Sequence, residues 1–269
     1  MMKYKNSLML KIFNIYRKNN IKNMAKIYNP LDLTKIIPVD DLPDKVYFPE
    51  ETTKKQIVLH HTVSNPISVE GDVKTWTQSN NGVSTCVIIQ GDGVPYQLYS
   101  SKYWSHHLGI SSKFLKEKGF TDFMSRNTIL NKASLGIEID NWGGLVLGDG
   151  ATKKDFGKGP VVLQKDKFYT AYGNIINVNS NDIIEFKDGF RGYKHFQKYT
   201  QAQIDTTAEL LLLWKNKWNI PLTYNEDMWD VNVGALSGKP GVWTHTSFRS
   251  DKSDCFPQPE LIEMLKSIS

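Results

Sequence analysis

The chain of 269 residues is 40% hydrophobic and 23% charged, values of an ordinary globular protein that exclude long disorder and a fibrous repeat. Its apolar stretches fall short of the roughly 20 residues that span a bilayer, and two cysteines, Cys86 and Cys255, exclude a disulfide-stapled fold while permitting one bridge. Lys and Arg total 33 against 28 Asp and Glu, a net charge of +5, which suits an anionic partner and is too weak to argue for nucleic acid.

Residues 1–26 are rich in Lys and Asn. Their one apolar patch, Leu8-Met9-Leu10, is broken by Lys11 and followed by no small-residue cleavage site, so it does not read as a secretory signal. The start is either Met1 or Met24. Pro30, Pro38, Pro43 and Pro49 punctuate the lead-in. Residues 1–45 read as an N-terminal extension, partly extended or mobile, ahead of a single domain over 46–269. Ile57-Val58-Leu59-His60 is a short apolar, β-branched run, as expected of a buried strand. Val69, Val73 and Trp76 recur at helical spacing up to Asn80-Asn81-Gly82. Residues 83–89 predict a second strand, Asp92-Gly93 a hairpin turn, and residues 94–99 the returning strand. Residues 135–139 predict another buried strand. Glycines 143, 144, 148, 150, 157 and 159 mark residues 143–193 as a loop-rich insertion, with hairpins around Val161-Val162-Leu163 and Ile183-Ile184. Thr200 and Gln203 form a capping box for a helix carrying Ile204, Ala208, Leu211 and Trp218. A last helix starts near Pro259. This alternation predicts an α/β fold, a central mixed sheet flanked by helices.

Of the six histidines, four lie in adjacent pairs, His60-His61 and His106-His107. His60 ends an apolar strand, and His245 follows the strand-like Gly241-Val242-Trp243-Thr244. Cys255 lies beyond a polar loop. Two imidazoles and a thiolate make a three-ligand zinc site whose fourth position is left for water, a catalytic rather than a structural pattern. The alternative is a packed strand histidine and a small buried thiol. His61 is expected on the opposite strand face from His60, in a structural role. Trp76, Trp104, Trp142 and Trp243 are candidates for a sugar-peptide groove or for core packing.

Ile57-Val58-Leu59-His60-His61-Thr62 resembles the opening strand of the zinc N-acetylmuramoyl-L-alanine amidases, the superfamily of peptidoglycan recognition proteins and amidase-type phage lysozymes. Residues 83–89, Gly91-Asp92-Gly93 and Tyr96-Gln97-Leu98 resemble its next hairpin. His106-His107-Leu108-Gly109 resembles its Trp-His-Ala-Gly loop, and Asn131 through Ser134-Leu135-Gly136-Ile137-Glu138 its Asn-Asp-x-Ser-Ile-Gly-Ile-Glu strand. Tyr199 to Gln203 and Asn219-Ile220-Pro221-Leu222 resemble the ends of its long helix. Thr244-His245 and Lys252-Ser253-Asp254-Cys255-Phe256-Pro257 resemble its last two ligand elements. The likeness runs in order from Gln56 to Leu265.

The resemblance implies zinc on His60, His245 and Cys255. A Lys-x-Asp-Pro variant of the last element would select Asp254 instead. Three departures stand out: Phe256 intervenes between Cys255 and Pro257, Thr85 stands where many relatives carry a catalytic tyrosine, and Ser253 occupies the place of a Lys or Thr, with Lys252 one step further back. Glu138 stands where the branch lacking that tyrosine keeps a catalytic glutamate. The implied chemistry is hydrolysis of the amide between N-acetylmuramic acid and L-alanine in peptidoglycan. Glu138 would relay the proton, and Lys252 or His107 would meet the oxyanion, with Ser253 and Thr85 near the substrate. The expected setting is a monomeric phage endolysin, made without a signal peptide in the host cytoplasm and acting on the wall, without nucleic acid or membrane insertion. A wall-recycling amidase, an antibacterial effector and a non-catalytic peptidoglycan-binding module of the same fold are the alternatives.

Overall fold

Gln56–His61 forms β2, which is buried at every position. Only a strand covered on both faces tolerates so continuous an apolar run, and such strands sit in the middle of parallel sheets. A computed structural model describes residues 26–40, 42, 45–67, 69–79 and 81–269. The proposed leader through Met24, as well as Pro43 and Asn80, lies outside the described residues. In the structure β2 lies between β5 (Ser134–Ile139) and β13 (Gly241–Thr244), parallel to both. The six-stranded sheet has the order β1-β4-β3-β5-β2-β13. Here β1 is Ile37–Pro38, β3 is Val87–Ile89 and β4 is Pro95–Gln97. The expected strand over residues 83–89 is confined to its last three residues, because Val83 instead makes an isolated bridge to His106. The Asp92-Gly93 turn closes the β3–β4 hairpin, with Gln90 N donating to Val94 O.

Helices cover the sheet. Val69–Ser79 is α1. Ser112–Glu117 and Arg126–Ala133, here α2 and α3, arise in a stretch without strong periodicity and were not legible in the sequence. Gln201–Trp218 is α4, and the predicted capping box is formed: Thr200 Oγ1 accepts from Gln203 N, and the Gln203 side chain accepts from Thr200 N. Val233–Leu236 is α5, and Pro259–Ser267 is α6 with Pro in its first turn. Tyr28 and Leu31 of the lead-in bond to Asp205 and to the Glu209 carbonyl of α4. Among the described residues no helix is long and apolar enough to cross a membrane.

The loop-rich insertion carries short strands, including the hairpins expected around Val161-Val162-Leu163 and Ile183-Ile184. β6 (Gly144–Leu147), β9 (Phe168–Tyr169), β10 (Ile175–Ile176), β11 (Ile183–Phe190) and β12 (Tyr193–Gln197) pair antiparallel in the order β10-β9-β6-β12-β11. A hairpin of β7 (Lys153–Asp155) and β8 (Pro160–Val162) stands beside them. Most of these strands have two to four residues and much exposed surface, which leaves no clean two-residue alternation to read.

The insertion also grips the main domain. Arg191, at the β11–β12 turn, donates from Nη1 to Ser250 O (2.9 Å) and from Nη2 to Asp230 Oδ1 (2.7 Å) and Thr246 O (3.3 Å). Asp230 is mostly exposed, so that ion pair contributes little. The two carbonyl contacts tie down the segment leading to Asp254. Arg191→Ala is expected to lower stability by about 1–3 kcal/mol. Thermal unfolding checks this, and faster amide exchange confined to residues 246–254 would locate it.

Candidate metal centre

The register of three neighbouring parallel strands builds the site. His60 of β2 lies directly beside Glu138 of β5. Thr244, the last residue of β13, pairs with Leu59, so the next residue, His245, comes level with His60. Glu138, His60 and His245 therefore form one row at the carboxyl ends of the strands, the edge at which open α/β sheets bind ligands. Asp254 arrives from the following loop.

The side chains converge. His60 Nδ1 lies 3.1 Å from His245 Nδ1, and Asp254 Oδ2 lies 3.2 Å from the first and 2.8 Å from the second. The three residues are buried, and one ligand atom from each lies within 4.8 Å of the others, a group able to hold a metal ion. This corrects the expected register: the carboxylate of Asp254, not the thiol of Cys255, joins the imidazoles. Cys255 is fully buried beside Tyr199, with its thiol pushed well above its usual range by burial. Phe256, between Cys255 and Pro257, packs on Tyr199 (4.5 Å, stacked) and anchors the inward turn of the cysteine side. With Asp254 as the donor, Lys252 stands two positions before it, and the departure at Ser253 disappears.

The hydrogen bonds assign the tautomers. Ser134 Oγ donates to Leu130 O (2.7 Å), so it accepts from His107 Nε2 (2.8 Å). His107 Nδ1 must then accept from His60 Nε2 (3.0 Å), which leaves the lone pair of His60 on Nδ1. His245 Nε2 donates to Leu108 O (2.9 Å), the tautomer that turns the Nδ1 lone pair toward His60 and Asp254 when the ring holds a metal. Burial and the neighbouring His245 lower the His60 pKa to about 4, favouring the neutral ring. Two lone pairs and a carboxylate facing one another repel unless a cation lies among them. This donor set therefore fits a metal, with each imidazole oriented through its other nitrogen.

One loop performs both orientations. Asn131 of α3 accepts from the backbone N–H groups of His107 (2.8 Å) and Leu108 (3.1 Å), and these residues hold His60 and His245. Both ring nitrogens of His107 are engaged, so it is a positioning residue and not the free oxyanion donor expected. His61 is buried and bonds through Nδ1 to the Tyr199 hydroxyl (2.9 Å), and it also borders the cleft above this row.

A cleft of about 240 Å³ opens over the row, lined by Thr62, Val63, Trp76, Thr85, His107, Glu138, Tyr172 and Lys252 with the three metal-binding candidates. Glu138 is partly exposed, yet its Oε2 is buried with no hydrogen-bond partner. Burial, then the negative charges of Asp254 and Asp72, raise its carboxyl well above the usual range. Thr85 reaches the cleft, but its hydroxyl donates to Val87 O (3.4 Å). Ser253 is not among the lining residues. Trp104 and Trp243 are core residues, whereas Trp76 faces the cleft. Tyr172 had no signal in the sequence, because it comes from the insertion.

Comparison with known proteins follows the same lines. Two solved structures are similar, both from Clostridium intestinale URNW: the endolysin N-acetylmuramoyl-L-alanine amidase LysCS and the N-acetylmuramoyl-L-alanine amidase LysC. The first is 15% identical with a TM-score of 0.40, over 83% of this chain and 88% of that one. The second is 15% identical with a TM-score of 0.41, over 84% and 93%. No curated protein gives a match. A family model described as N-acetylmuramoyl-L-alanine amidase matches residues 50–259. Because that match runs unbroken from the strand of His60 past the loop of Asp254, the chain belongs to the N-acetylmuramoyl-L-alanine amidase family.

Proposed function

We propose that this chain is a zinc-dependent amidase that cuts between N-acetylmuramic acid and L-alanine in peptidoglycan, with His60, His245 and Asp254 as ligands. The observation that carries the reading is the pair of Nδ1 lone pairs turned toward one carboxylate, each ring held from behind by His107 or the Leu108 carbonyl. Two nitrogens and one oxygen are a borderline donor set that suits zinc and leaves a position open. When bound, the ion supplies Lewis acidity toward the lactyl carbonyl and toward water. Glu138 accepts the proton of the attacking water at its unpartnered Oε2 and returns it to the departing amine of L-alanine. Lys252, on the cleft wall, offers its ammonium to the negative charge that develops on the carbonyl oxygen. The scissile C–N bond breaks as the amine takes that proton, so no covalent enzyme intermediate is needed.

We extend this reading to a monomeric, endolysin-type enzyme whose catalytic sheet takes in β1, from the lead-in before residue 46. Its net charge of +5 favours approach to an anionic wall. Purified protein is expected to hold about one zinc per chain. On isolated sacculi it should release amino groups of L-alanine without new reducing sugar ends, and a chelator should stop it. Binding to sacculi with no release of amino groups would leave only a binding module. His107→Phe keeps the ring volume but removes the acceptor for His60 Nε2. It is expected to weaken metal affinity about 10- to 100-fold, measured by competition with a chromogenic chelator.

A further inference from the structure

The wall of the cleft is completed from outside the central sheet. Tyr172 stands in the turn between β9 and β10, in the inserted sheet, and lines the cleft together with Trp76 of α1 and Lys252. The turn beneath it is tightly built. Thr170 is fully buried, and its Oγ1 accepts from Tyr172 N and Asn174 N, each at 3.3 Å. Thr170 N donates to Asn174 O (2.9 Å), and Gly173 N donates to Thr170 O (3.0 Å). Gly173 has a φ of +80°, and a Cβ there would sit 2.8 Å from the Phe156 ring. Phe156 follows the inserted strand β7 and stacks on Tyr169 (6.0 Å, 15°). A glycine at this point lets Phe156 brace the turn from behind.

The tip of this rigid support does the opposite of its base. Tyr172 is 56% exposed. Among the described residues its hydroxyl has no hydrogen-bond partner and its ring stacks on no other. An amphipathic ring with few rotors, fixed over a concave site and left without internal partners, is a ligand-facing arrangement.

We propose that Tyr172 is a substrate-binding residue that closes the cleft on the amino-sugar side, its ring against the apolar C–H face of the pyranose. The proposal rests on the amidase reading above. The peptide stem offers amides and carboxylates, which an aromatic face matches poorly. A pyranose instead offers a flat C–H face edged by hydroxyls, which matches a phenol. The insertion is thereby assigned a part in substrate recognition.

Tyr172→Ala and Tyr172→Phe are to be compared with the unaltered zinc-loaded chain on sacculi and on a soluble muramoyl-peptide. The alanine variant is expected to raise KM about tenfold, with kcat affected far less, while phenylalanine restores most of the loss. Free N-acetylmuramic acid should inhibit the alanine variant more weakly than the unaltered chain. An unchanged KM overturns the proposal. Weakened inhibition by the free stem peptide, with that by the sugar unaltered, overturns the sugar assignment. If the unaltered chain releases no L-alanine amino groups, the amidase reading itself has failed. Co-sedimentation with sacculi then still decides the contact, since the alanine variant should leave more protein in the supernatant.

Discussion

Asp254→Asn is expected to strip the zinc and lower turnover by about a thousandfold or more, the loss of several kcal/mol of Lewis-acid stabilisation. Cys255→Ser should keep both metal and turnover. The expectation follows from which atoms meet: Asp254 Oδ2 lies 2.8 Å from His245 Nδ1, whereas Cys255 is buried against Tyr199. An amide in place of the carboxylate keeps the shape but removes the charge that two neutral imidazoles need to hold a dication. The serine variant loses only a buried sulfur, so its cost falls on stability, at about 1–2 kcal/mol. Metal content per chain, measured on both variants beside thermal unfolding, separates the two effects. Zinc lost from Cys255→Ser but kept by Asp254→Asn would restore the cysteine register and refute the site described here.

Glu138→Gln should retain the zinc and lower kcat by about 10²- to 10⁴-fold, the usual scale for a general base. Its pH behaviour provides a second check. Burial, then Asp254 and Asp72, raise the Glu138 carboxyl well above its usual range. The base form exists only above that raised pKa, so kcat should fall as pH drops through it, and the glutamine variant should lack this acid limb. The stability effect has the opposite sense. A carboxyl whose folded pKa is raised contributes stability fully present below the unfolded value and lost as pH rises through the folded value. At neutral pH the metal-free glutamine variant is therefore expected to melt higher than the unaltered chain. A variant that is less stable, and whose activity is unimpaired, would remove Glu138 from the chemistry.

Much of the frame was legible in the sequence because it depends on local chemistry. The run Ile57-Val58-Leu59 could be placed only in a covered strand, and Thr200 with Gln203 formed the capping box that their side chains allow. Gly241 to Thr244 read as a strand and is one. The helices α2 and α3 were missed because they are short and owe their place to packing. The other strands of the insertion were not legible for a related reason: strands as short as Phe168–Tyr169 are defined by the partners they find, not by their own pattern.

By itself, the sequence determined the donor inventory: which strand ends carry His60, Glu138 and His245, and that a carboxylate and a thiol stand side by side at 254 and 255. The tertiary structure decided between those last two, because the choice depends on which side chain faces the imidazoles once Phe256 has packed on Tyr199. It also decided that His107 braces His60 and that Tyr172 reaches the cleft. Those relations join residues far apart in the chain. Distances of a few ångströms between them are set by sheet register and loop packing, which no local spacing encodes.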